Sequence, residues 1–482
     1  LTVGTTASAN GRFPASNQIV FSPVTPSAVI VRTTFGVLFT TDGEKTWRWL
    51  CEDTLGLSST SNEDPYYVVS ANGTLIAGLS LGLQTSTSSG CDWTVAGGAL
   101  AGQLVKDLDP HVSDMHTVDL ITSTHTASAG PDGGPGYVQQ TFETTDDGAH
   151  WTAFGTPIDP TAIVTTIDIA PSDPNRLYVS AFRITSMGNT ASLFVSSDKG
   201  TTWTEHPVAL DATESAVYIG AVDPNDENVV YLRSEGQSRL MVSRDGGQTI
   251  QAVKTLDDEM LGLALSADGS KIYIGSVADG LLVAPTSTLS FTQTSSIHVQ
   301  CLATRGTELW ACSDEASGFV AGISQDDGKT FTPVLHLLDI AGPIECPASA
   351  AASMCTAWDL EAGAFYNPFV GICSNLGACI GTAPSPLANT CNCTGACVAS
   401  NTSNAAAFDA SVTCDGGVVG APEGGSIGDA GSPPGSTPPA KSSSGGCSMV
   451  GGRAAVGTFA AGGALALGAL FAGRRRARRP RR

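Results

Sequence analysis

The sequence predicts an all-β chain of repeated units, and three observations predict it. A short motif, S/T-x-D-x-G-x-T-W, recurs through the first 340 of the 482 residues, and its last positions lie 40 to 58 residues apart. In phase with it runs a second element, in which a strand, a turn and another strand precede each motif. Charged residues make up only 14% of the chain, and runs of Glu, Lys, Leu and Arg that would favour helix are nearly absent. A period of that length is what one four-stranded blade with its loops requires. Seven phased copies therefore predict a seven-bladed β-propeller over residues 1–340.

Three copies fit the motif well: TTDDGAHW (Asp146, Gly148, Trp151), SSDKGTTW (Asp198, Gly200, Trp203) and SQDDGKTF (Asp326, Gly328, Phe331). SRDGGQTI keeps Asp245 and Gly247 and loses only the aromatic. TTDGEKTW keeps Asp42 and Trp47 with its Gly displaced, and STSSGCDW keeps Trp93 with Ser88 where Asp is expected. The weakest copy, Ala284 to Phe291, keeps little beyond the aromatic. The phased partner element is seen in IDIAPSDPNRLYVSAF, GAVDPNDENVVYLRS and LALSADGSKIYIGSV, whose Asp, Pro, Asn and Gly suit tight reversals.

This pattern resembles the Asp-box (BNR) repeat of sialidases, sortilin-type receptors and several secreted glycosidases, over roughly residues 17–340. The resemblance implies a structural role for the motif, as the turn between the third and fourth strands of a blade. The Asp accepts turn N–H groups, Gly supplies a positive φ, and the aromatic packs beneath. Strands near Gln18, Ala28, Gly36 and Trp47 complete the first blade locally, and Thr332 to Leu338 complete the last. Ring closure is then expected from packing of the first blade on the last, helped by Leu1 to Thr6.

Thirteen Cys are unevenly placed, with eight between Cys346 and Cys414. That density reads as a disulfide-stapled module, residues 341–420, in an oxidising compartment; the lack of His there argues against zinc. Cys301 and Cys312 flank a short turn symmetrically, so across a hairpin they are expected to bridge. By elimination Cys51 is expected to pair with Cys91. Residues 421–446 are rich in Gly, Ser and Pro and read as a flexible linker. Residues 447–482 then combine Cys447, an apolar stretch over 454–472 long enough to span a membrane, and seven Arg within 474–482. This tail resembles the myxobacterial MYXO-CTERM sorting signal. The resemblance implies removal by a sorting protease at the Cys and retention at the cell envelope. The N-terminus, which lacks Met, reads as trimmed.

Composition excludes one partner class. Eight of the 24 basic residues follow Cys447 with no acid among them, so the body is more acidic than the formal net charge of -21. Such a surface repels phosphate backbones, which argues against nucleic acid. Sialidase chemistry lacks its arginine cluster and its Arg-Ile-Pro-type motif, Gly11-Arg12-Phe13-Pro14 being the nearest. A carboxylate-pair glycosidase has candidates in Glu52, Asp53, Glu63, Asp64, Asp257, Asp258 and Glu259, but nothing in the pattern selects two of them. His111, His116 and His125, with Asp109, Asp114 and Asp119, look metal-like. Aligned with the next repeat, however, they fall on a turn and on opposite strand faces, and a structural role is expected. The Gly-rich insertion Thr122 to Gln139 reads as a recognition loop. No catalytic, cofactor or metal residue is assigned. The expected function is an exported, surface-anchored, non-catalytic binding module for a glycan or surface protein; the alternative is the glycosidase. Intact-mass analysis of envelope-extracted protein is expected to show a chain ending near Cys447, and peptides from residue 454 onward in the mature form would contradict this.

Overall fold

The computed structural model describes residues 15–57, 63–129, 135–236 and 238–347, together with a strand pair, Thr390–Cys391 with Cys397–Val398. The remainder of the cysteine-rich module, the linker, Cys447 and the expected membrane segment 454–472 lie outside the described residues, as does Leu1 to Thr6. Among the described residues no helix is long and apolar enough to cross a membrane.

Seven antiparallel four-stranded sheets follow one another: residues 16–50, 66–95, 105–154, 163–208, 217–255, 262–295 and 301–335, numbered here as blades 1 to 7. Each is a meander whose strands lie in chain order. The innermost strands are Ser16–Phe21, Tyr66–Val69, Val105–Pro110, Ile163–Ala170, Val217–Val222, Gly262–Leu265 and Cys301–Arg305. Each touches the next, and the last touches the first, so the sheets close into a seven-bladed propeller. Among the described residues helical structure is confined to short 3-10 turns such as Glu52–Leu55 and Glu315–Ser317. Apolar side chains fill the seams between blades, as where Tyr178 and Leu193 of blade 4 meet Val217 and Leu232 of blade 5.

The motif sits at the turn between third and fourth strands, and its hydrogen bonds explain its residue types. In blade 4 the Ser196 hydroxyl accepts from Gly200 N–H at 2.8 Å and donates to Asp198. Asp198 in turn accepts Thr202 N–H at 2.8 Å and the Thr202 hydroxyl. Asp146, Asp245 and Asp326 accept the corresponding N–H groups of His150, Thr249 and Thr330. In blade 2 the Ser88 hydroxyl accepts Asp92 N–H at 2.8 Å, so a hydroxyl stands in for the missing carboxylate. The turn needs two successive residues with positive φ, Lys199 and Gly200 in blade 4. In blade 1 they are Gly43 and Glu44, which is why the Gly looked displaced. The indole N–H of Trp93 and Trp151 donates back to the carbonyl of Gly90 and Gly148.

Closure uses no strand exchange between the first and last blades. Trp47 donates its indole N–H to Val334 O at 2.8 Å, and the Ser16 hydroxyl donates to Val320 O at 3.0 Å. Phe21 meets Trp310 edge-on at 5.4 Å, and the Arg305 guanidinium lies 4.9 Å from the Trp310 ring. The chain then crosses back over this seam. Ile340–Pro343 pairs in parallel with Trp47–Leu50 as a fifth strand of blade 1, a feature unforeseen in the sequence.

The expected bridge Cys301–Cys312 is present, its residues directly opposed in the hairpin with Cα atoms 4.7 Å apart. The expected Cys51–Cys91 bridge is not. Cys91 pairs with Cys346, Cα to Cα 5.5 Å, because the returning strand carries Cys346 to the turn of blade 2. Cys51 is also disulfide-bonded, but not to Cys91, Cys301, Cys312 or Cys346.

Gly328 has φ +77°, and a Cβ there would come 2.0 Å from Leu281 of blade 6. Gly306 has φ +59° with nothing within 4 Å. Gly328→Ala is expected to cost several kcal/mol in chemical denaturation and Gly306→Ala about 1 kcal/mol; equal losses would contradict the packing described.

Candidate functional site at the channel mouth

In a four-strand meander the 1–2 and 3–4 turns lie on one face of the ring, and the 2–3 turns and blade-to-blade loops on the other. The Asp-bearing turns therefore occupy one face. All seven acids named as glycosidase candidates occupy the opposite face, because each lies in a blade-to-blade loop. The insertion in blade 3 projects there too. It continues the sheet as a long hairpin, with Val118–Ala129 paired to Pro135–Thr144. Blade 4 carries a similar hairpin that the repeat pattern did not reveal, Asp173–Thr185 with Gly188–Ser196. At its tip Met187 is 97% exposed and Ile184 56% exposed.

On this face the channel opens on a polar constellation drawn from five blades and a loop. Arg32 lies over the Tyr66 ring at 5.5 Å, and Arg233 lies over the Tyr218 ring at 4.9 Å. Arg32 is steadied by Asn17 and by the carbonyls of Asp64 and Pro65, and Arg233 by Met260 O. The Tyr66 and Tyr218 hydroxyls, Lys106 and Glu259, with Asp168 further down the channel, are only partly exposed, and no protein group hydrogen-bonds or ion-pairs with them among the described residues. Burial raises Tyr66, pushes Tyr218 up to about 12 and lowers Lys106. Burial also raises Glu259, with the neighbouring Glu235 carboxylate adding to the effect. A recess of about 350 Å³ beside this opening is lined by Asp64, Tyr66, Ser80, Val105 and Lys106 among others.

Deeper in the channel, Asp107 and Asp109 accept the backbone N–H of Ile167 and Ile169 at 3.0 and 2.6 Å. These are edge groups of an innermost strand, which has no further strand to pair with. Burial pushes Asp107 up to about 7 and raises Asp168, whose neighbours Asp109 and Asp107 add like charge. A larger recess of about 530 Å³ on the opposite face, between blades 6 and 7, is a weaker candidate. There Lys271 and Tyr273 both bind Asp327 at 2.8 Å, so its polar groups satisfy one another.

The loop acids separate on inspection. Glu63 accepts both the backbone N–H and the hydroxyl of Ser80, and Asp64 accepts from Asn17. Asp257 N–H binds Asp279, while Glu52 and Asp53 sit in the 3-10 turn after blade 1. Of the seven, Glu259 combines burial with a free carboxyl. Tyr66, Lys106, Tyr218 and Arg233 escaped sequence reasoning, because polar residues on inner strands read as ordinary alternation. The His and Asp group also disperses. His116 pairs with Asp147, His125 stacks edge-on against Tyr137, and Asp114 caps its own turn. His111 and Asp119 stay together, 3.2 Å apart, and are joined by Glu143.

No family model matches the chain, and no curated protein matches it. Solved structures that resemble it include a GH74 xyloglucanase from Xanthomonas campestris, 13% identical over 66% of this chain and 64% of that one, with a TM-score of 0.32. The GH74 enzyme of Niastella koreensis is 14% identical over 65% and 61%, TM-score 0.25. Hydrazine synthase of Kuenenia stuttgartiensis is 10% identical over 67% and 98%, TM-score 0.44. The chain thus spans less than two thirds of the length of the two GH74 structures.

The acids of the two regions give opposite pH signs. Asp326 is pushed down to about 2, first by the Thr330 N–H, so its contribution holds above the usual 3.8 and is lost as pH falls toward 2. Asp107 and Asp168 are raised, so theirs is complete below 3.8 and is lost as pH climbs, through about 7 for Asp107. Calorimetry is expected to show the highest melting temperature between roughly pH 4 and 6. Asp168→Asn should flatten the alkaline decline and leave the acid decline intact.

Proposed function

We propose that this propeller is a non-catalytic binding module, displayed outside the cytoplasm, that takes a glycan at the channel mouth on the face that carries the hairpins of blades 3 and 4. One observation carries the reading: the Tyr66 and Tyr218 hydroxyls, Lys106, Asp168 and Glu259 are partly buried and lack protein partners among the described residues. Buried polar groups are ordinarily hydrogen-bonded, so such a set is prepared for a polar ligand or the water it displaces. Neutral hydroxyls and carboxyls raised by burial suit a polyhydroxylated ligand, whereas the acidic body disfavours a polyanion. Disulfides joining Cys91 to Cys346 and Cys301 to Cys312 fit an oxidising compartment. Attachment at the envelope through the tail, with release by a sorting protease, belongs to the same proposal.

The hydrolase reading keeps one specific observation in its favour. Glu259, raised by burial, lies near Glu235, whose carboxylate accepts the Ser215 hydroxyl. Unlike environments for two neighbouring acids are what general acid and partner carboxylate require. Binding is preferred because Arg233 already covers one face of the adjacent Tyr218 ring.

Screening the full chain against soluble polysaccharides and chromogenic glycosides separates these readings. The expected result is saturable binding with no product, weakened about tenfold by Lys106→Ala or Tyr218→Phe at unchanged melting temperature. Turnover abolished by Glu259→Gln would establish the hydrolase. Retention of an envelope protein, with no glycan bound, would transfer the site to a protein partner.

A further inference from the structure

Asp109, Asp119 and Glu143 stand directly opposite one another on three adjacent strands of blade 3. Like charges at such positions repel, and burial intensifies the repulsion. Asp119, in the centre, is 0% exposed, and its Oδ1 has no hydrogen-bond partner among the described residues. Asp109 is turned toward Ile169 N–H of blade 4, and Glu143 gives one oxygen, Oε2, to Lys199 of the same blade. The remaining compensation comes from His111, itself 7% exposed, whose Nε2 lies 3.2 Å from Asp119 Oδ2. One ligand atom from each of His111, Asp119 and Glu143 lies within 4.8 Å of the others.

We propose that His111, Asp119 and Glu143 bind one divalent transition-metal ion on the face of blade 3 that meets blade 4. The sequence reading gave His111 and Asp119 a structural role, because alignment with the next repeat set them on a turn and on opposite strand faces, and it did not weigh Glu143. Two carboxylates and one imidazole form a donor set for zinc or manganese, and the imidazole disfavours calcium and magnesium. Bond lengths of 2.0–2.2 Å in a tetrahedral site set ligand atoms roughly 3.4 Å apart; His111 and Asp119 already have that separation. The competing arrangement is a protonated imidazole paired with Asp119. It neutralises one oxygen of one carboxylate and leaves Oδ1 without a donor, whereas a metal ion answers Asp119 and Glu143 together. Lys199 holds Oε2 of Glu143, so the other oxygen remains to coordinate.

The full chain, stripped with EDTA and desalted after exposure to Zn²⁺ or Mn²⁺, is expected to retain one equivalent by elemental analysis, with a raised melting temperature. Co²⁺ in its place should give visible absorption. His111→Gln and Glu143→Gln should each weaken retention at least about tenfold. Glu143 is partly exposed and tolerates that change, so the test does not depend on replacing buried Asp119. His116→Gln, which removes an exposed His held by Asp147, should leave retention unaltered. Absence of a retained equivalent overturns the proposal, as does retention by either ligand variant equal to that of the parent chain.

Discussion

A ring of sheets holds only if its first and last members adhere as firmly as any neighbours, and here that seam is made of side chains. Trp47 reaches Val334 O, Ser16 reaches Val320 O, and Arg305 covers the faces of both Phe21 and Trp310. Neither blade borrows a strand from the other. Ile340–Pro343 then covers the outer edge of blade 1, which would otherwise expose unpaired backbone groups. With the ring closed, innermost strands find edge partners on neighbouring blades. Asp107 and Asp109 accept from blade 4, and Thr166 accepts Ile219 N–H of blade 5.

That arrangement divides the labour between the two faces. On the motif face the turn acids are committed to their own turns, as Asp198 is to Thr202 and Asp268 is to Ser270. The opposite face carries the long hairpins of blades 3 and 4 and the throat of unpartnered groups. The same residue types therefore do different work according to which turn of the meander holds them.

The architecture was legible because its determinants are local. Ser196, Asp198 and Gly200 specify a turn within five residues, and its recurrence in phase with the paired strands specifies the ring. The Cys301–Cys312 bridge was legible for the same reason, since hairpin register is a short-range property. Cys91 found Cys346 instead of Cys51 because the returning strand depends on packing against Trp47 and Trp49, which no local pattern encodes. The channel mouth was hidden likewise. Tyr66, Lys106 and Tyr218 occupy unremarkable alternating positions, and only the ring brings them together. Glu143 joins His111 and Asp119 by strand register, across more than twenty residues of hairpin.

The Cys91–Cys346 bond and the parallel strand before it also decide how the molecule carries load. A pull applied at Cys346 meets the covalent link to blade 2 before it reaches blade 7. Upstream, Ile340–Pro343 lies alongside Trp47–Leu50, so any tension passing the bond must shear a strand lengthwise instead of peeling it open. Traction is thereby spread over blades 1 and 2, and the seam between blades 7 and 1 is kept out of the line of force.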